Sequence, residues 1–158
     1  MSQDTTYRFT SADANKVSDF HGEVSRILKL FATTGWGQQR GHFSPGVYRI
    51  FTPEIGRNLH GVEVSLKDTA GILGDVTSYT GTGVGVAAYG EYSDVLNHLI
   101  DAAYDLDVIY RDLKVNIKAQ VWDSPADERD AHKVIQPIED IGKRVGLLRV
   151  RFSALRPE

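Results

Sequence analysis

A chain of 158 residues with 18 Lys and Arg against 21 Asp and Glu carries a formal charge of −3, too balanced for its overall field to draw nucleic acid or an anionic membrane. It contains no cysteine, which excludes disulfides, thiolate catalysis and Cys-ligated zinc or iron–sulfur centres and suits a cytoplasmic setting. The length fits a single domain over residues 1–158, and with no apolar leader in Met1–Thr10 and no 18-residue apolar run, no membrane partner is expected.

In chain order, Tyr7–Phe9 reads as a short strand. A helix follows to about Phe31, capped by Ser11 or Asp13, with Val17, Phe20, Val24, Ile27, Leu28 and Phe31 on one face. Gly22 inside it costs up to about 1 kcal/mol relative to Ala, and a closely packed neighbouring element would account for it. Residues 33–46 hold four Gly and one Pro and form a loop. Val47–Phe51 reads as a strand stopped by Pro53. In Gly61–Leu66, Val62, Val64 and Leu66 alternate with Glu63 and Ser65, the period of a half-buried strand. On such a strand His60 and Glu63 point to opposite faces. Between Thr69 and Thr80, Ile72, Val76 and Tyr79 share a helical face, while Gly71 and Gly74 weaken a helix. The stretch from Leu66 to Val76 resembles the first strand–turn–helix of the small regulatory ACT domains. It lacks their usual proline before Gly71 and their following hairpin, so no function is carried over.

Gly83–Tyr89 is a Gly-rich strand or turn. Gly83, Gly85 and Ala88 match G-x-G-x-x-A, but no clear strand precedes them. The acids that would hold a ribose, Asp101 and Asp105, fall inside the next helix, so a tight turn is the reading and no cofactor is expected. A long helix spans about Ser93 to Leu113, with Val95, Leu99, Ala102, Leu106, Ile109 and Leu113 inward. Val115, Ile117, Ala119 and Val121 then alternate with Asn116, Lys118 and Gln120 as a strand. Ser124, Pro125 and Asp127 mark a helix start. Its apolar face is Ala131, Val134, Ile135, Ile138, Ile141 and Val145, with a kink or restart at Pro137 and a stop at Gly146. Leu148, Val150, Phe152 and Ala154 alternate with Arg149, Arg151 and Ser153 as a closing strand. The fold expected from these elements is α/β (α+β), a two-layer sandwich of a mixed β-sheet with three main helices, ferredoxin-like in its leading order.

Candidate contact residues fall in three groups. Trp36, Arg40, His42 and Phe43 put aromatic anchors and polar reach on the first Gly-rich loop. Asp94, Asp101, Asp105 and Asp112 line up on the outer flank of the long helix over about 27 Å, at 1.5 Å per residue. Arg149 and Arg151 share one face of the closing strand. Residues 91–112 hold six acids and one base, Arg111, whereas residues 143–156 hold five bases and no acid. This asymmetry points to a non-catalytic interaction module that self-associates or meets a basic protein partner.

Two further readings stand beside it. One is a small hydrolase or nuclease using Asp, His and Arg groups near the Gly-rich loops; no Ser has a G-x-S-x-G context, and no two His lie four apart. The other is a nucleic-acid-binding domain using Lys143, Arg144, Arg149, Arg151 and Arg156. No metal site is assigned, although His98, Asp101 and Asp105 share a helix face.

Overall fold

Val95, Leu99, Ala102, Leu106, Ile109 and Leu113 are followed by Ile117 at the same helical spacing, and all seven are buried. The computed structural model, which describes residues 5–32, 43–78 and 81–158, therefore carries this helix well past the predicted stop. Its elements are β1 (Thr6–Thr10), α1 (Ser11–Ala32), α2 (Pro45–Ile50), α3 (Pro53–Ser78), β2 (Val84–Ala88), α4 (Tyr89–Ala119) and α5 (Pro125–Ser153).

The expected mixed sheet is overturned: among the described residues the sheet is one antiparallel pair, β1 with β2. Four predicted strands are helical. Val47–Phe51 is largely α2, Gly61–Leu66 lies inside α3, Val115–Val121 is largely the end of α4, and Leu148–Ala154 is largely the end of α5. Three of them contain two buried apolar residues three or four apart that continue a helical stripe, Val62 with Leu66, Leu148 with Phe152 and Val47 with Ile50, and in the fourth Ile117 continues the stripe from Leu113. The supposedly inward Val64, Val115, Val121 and Val150 are exposed.

The long helices pack in the cyclic order α1, α3, α4, α5, with α1 against α3, α3 against α4, and α4 against α5. The α1–α5 side packs far more sparsely and closes the ring loosely. β1 and β2 sit at one end, where α1 and α4 leave them directly; α3 and α5 run back toward that end. The result is an up-down-up-down helix bundle with a β-ribbon at one end.

The ribbon pairs Thr6 with Ala88 and Thr10 with Val84. Tyr7, Phe9 and Ala87 face the helices, while Arg8 and Val86 face out. Gly85 is required: a Cβ there would fall on the Val76 carbonyl of α3. Tyr7 stacks on Tyr92 at 3.7 Å, and the Tyr92 hydroxyl donates to the Phe152 carbonyl at 2.8 Å.

Helix starts were partly legible. Thr10, rather than Ser11 or Asp13, is the cap of α1. Its backbone N–H donates to Asp13 Oδ2 at 3.0 Å, and the Asp13 N–H donates back to Thr10 Oγ1 at 3.3 Å. Ser124 caps α5 as its spacing implies, accepting from the Asp127 N–H at 3.2 Å. α5 runs through Pro137 without restarting and passes the predicted stop at Gly146. Gly22 is not a close approach, since a Cβ there meets nothing within 4 Å. At the far end, Trp122 lies across Gly46 and donates to the Ile117 carbonyl at 3.0 Å, and Asn116 donates to the Ile50 carbonyl at 2.9 Å. These contacts clamp α2 to the end of α4.

Candidate functional site

A groove of about 880 Å³ lies between the second half of α1 and the first half of α3. Ile27, Phe31, Phe51 and Leu59 form its apolar floor. The floor is close-packed: Phe31 and Phe51 stack at 3.6 Å. On the rim, Ser25 of α1 donates to Glu63 Oε2 of α3, and His60 Nδ1 lies 3.2 Å from Glu63 Oε1. The helix brings this last pair together. His60 and Glu63 are one turn apart and side by side, where the expected strand would have set them on opposite faces. Glu63 sits between Ser25 and His60, so the histidine holds no proton-transfer contact with the serine.

A second groove, of about 440 Å³, follows the loose α1–α5 seam. Two ion pairs cross that seam. Arg144 donates to both Glu23 oxygens, at 3.0 and 2.6 Å, and Arg151 donates to Asp13 Oδ1. The Glu23 hydrogen bonds hold the Arg144 guanidinium above its usual range despite partial burial. Leu147, 71% exposed, stands on α5 between these two arginines.

The outward face of α4 carries the predicted acids. Asp94, Asp101 and Asp112 are exposed, and Asp105 is half-buried. Partial burial, helped by the Asp101 charge one turn away, raises the Asp105 carboxyl above its ordinary range. Sequence reasoning missed the apolar members of this face. Tyr104 is 68% exposed and Val115 63%. At roughly 100° per residue both fall on the same outward half-turn as Asp101 and Asp112. The signal was present, because neither residue belongs to the buried stripe through Leu99 and Leu106.

Other expected contacts do not assemble. Arg149 and Arg151 are two residues apart on a helix, roughly 200° around it, and share no face. Arg149 is half-buried with its Nε lacking a hydrogen-bond partner among the described residues, and Arg151 is paired to Asp13. Phe43 packs inward, 5.8 Å from the rings of Phe31 and Tyr48. Trp36, Arg40 and His42 lie outside the described residues. Among the described residues no group of three His, Asp or Glu is placed to hold a metal ion, His98 with Asp101 and Asp105 included.

No protein-family model, curated protein or solved structure matches this chain. The stretch that resembles an ACT strand–turn–helix lies wholly within α3. No helix among the described residues is long and apolar enough to cross a membrane.

Proposed function

We propose that this protein is a non-catalytic interaction and assembly module that associates through the outward face of α4, with a second copy or with a protein of basic surface. The carrying observation is that Tyr104 and Val115 stay in water in the same row as Asp101 and Asp112. Exposed aromatic and aliphatic groups supply affinity when covered, and surrounding charges orient and speed the encounter. A second copy offers a complement at the α1–α5 seam. There the exposed Leu147 stands on α5 with Lys16 across the seam, while Arg144 and Arg151 beside it are already paired with Glu23 and Asp13. This replaces the contact first expected from a basic strand, since residues 148–153 are helical.

The competing readings gain little from the geometry. For a hydrolase the nearest arrangement is Ser25 donating to the Glu63 carboxylate, and that serine has no G-x-S-x-G context. A nucleic-acid surface needs unspent cations, and Lys143, Arg144 and Arg151 each face an acid.

Light scattering across protein concentration tests the proposal. Mass should rise with concentration at about 0.05 M salt and fall at about 0.5 M, where charge attraction is screened within a few ångströms. Asp101→Lys/Asp105→Lys should abolish the rise. A strict monomer that also shows no salt-sensitive binding of a basic amphipathic peptide would overturn the reading.

A further inference from the structure

The groove between α1 and α3 has no part in the α4 contact, and its lining has a definite chemistry. Its volume of about 880 Å³ lies within the roughly 300–1,000 Å³ typical of small-molecule sites, which pair apolar walls with a few placed polar groups. Most of the lining is aliphatic and aromatic, and its polar groups are Ser25, Lys29, Arg57, His60 and Glu63. Glu63 is the groove's one acid among the described lining residues, and both its oxygens are engaged, by Ser25 and by His60. Arg57 lines the same rim, is exposed, and has no carboxylate partner among the described residues. His60 beside it is also exposed. The open charge at the rim is therefore cationic, above an apolar trough.

We propose that this groove binds an anionic amphiphile, a saturated chain bearing a carboxylate or similar headgroup. The chain lies along Leu28, Phe51 and Leu59, and the headgroup meets Arg57 at the rim. The floor residues are nearly closed to solvent, so the chain lies on the trough rather than threading into the core. Arg57 is the specificity-determining residue. Its guanidinium presents a planar fork of donors that matches a carboxylate in a way that an ammonium does not.

Titration calorimetry with octanoate, decanoate and dodecanoate, each below its micelle concentration, tests the site. Dodecanoate should bind saturably with one ligand per chain, and each added methylene should tighten binding by about fourfold. Arg57→Glu should weaken dodecanoate at least about tenfold, the scale of a charge-assisted hydrogen bond, with an unchanged circular dichroism spectrum. Amide chemical-shift changes on adding dodecanoate should concentrate between Ser25 and Phe31 and between Pro53 and Glu63. The proposal is overturned if dodecanoate fails to saturate, if dodecyltrimethylammonium binds equally well, if Arg57→Glu binds like the parent, or if the shift changes fall elsewhere. Monomeric protein serves for every arm, so the outcome is independent of whether α4 mediates assembly.

Discussion

Arg151 in the last turn of α5 donates to Asp13 in the first turn of α1, and Asp13 in turn holds the Thr10 backbone N–H. One buried carboxylate thus serves a helix cap and ties two helices across the loosely packed side of the bundle. Asp13→Ala removes both roles and should destabilise by about 1–2 kcal/mol, most of it from the lost cap. Arg151→Ala, at a side chain 54% exposed, should cost less than about 1 kcal/mol. Urea unfolding of both single variants and the double variant checks this. An Arg151 effect larger than that of Asp13 would contradict the assignment.

Gly61 and Gly71 are exposed inside α3, and a Cβ at either position meets nothing within 4 Å. Each Gly→Ala change should therefore stabilise by about 0.5–1 kcal/mol through helix propensity and a less flexible unfolded chain. Gly85→Ala should do the reverse by about 1–3 kcal/mol, because its Cβ would displace the end of α3 from β2. Thermal melts of the three variants separate the cases by sign.

The same positions show what was legible in the sequence. Apolar spacing located α1, the middle of α4 and the first half of α5, and the Ser124 cap was in plain view. The errors arose where a helical stripe was sampled over only five to seven residues. In Val115–Val121, the i,i+2 alternation of apolar residues imitates a strand. Only the link from Leu113 to Ile117 shows that the period never changed. The glycines of α3 lowered its apparent helix propensity, and tertiary burial of Leu59, Val62, Leu66 and Leu73 outweighed that cost. Acid spacing on α4 was readable because it depends on one helix alone. The groove beside Arg57 was not, since it needs α1 and α3 side by side.

Trp122 was passed over in the sequence, yet it seals the end of the bundle opposite the ribbon. Its ring covers Gly46, where a Cβ would stand 2.7 Å from Cζ3, and its indole N–H is satisfied by the Ile117 carbonyl. Trp122→Phe should lose about 1 kcal/mol with the hydrogen bond. Trp122→Ala should lose about 2–3 kcal/mol, somewhat below the range for a fully buried Trp. Chemical denaturation measures both, and near-equal effects would show that the ring packing contributes nothing.

Asp105 gives the acid face of α4 a pH signature. Its folded-state carboxyl is raised above the unfolded value of 3.8, by burial first and by Asp101 second. Within the window that opens near that value, the native state holds the proton more tightly than the unfolded chain does. Stability from this group is therefore greatest below the window and falls as pH rises through it. Asp105→Asn removes the titration. Relative to the parent, the variant should gain a few tenths of a kcal/mol between about pH 3.5 and 7, the scale of one like-charge helical pair. Glu139 supplies the opposite sign. Its hydrogen bond from Gln136 outweighs a desolvation cost and, with Lys143, lowers its carboxyl. Its contribution is present above its unfolded value of 4.5 and fades as pH falls through the lowered one. Urea midpoints for the parent, Asp105→Asn and Glu139→Gln across this range test both. An Asp105→Asn difference that shrinks with rising pH would mean the carboxylate is stabilised where it sits, against a strained acidic face on α4.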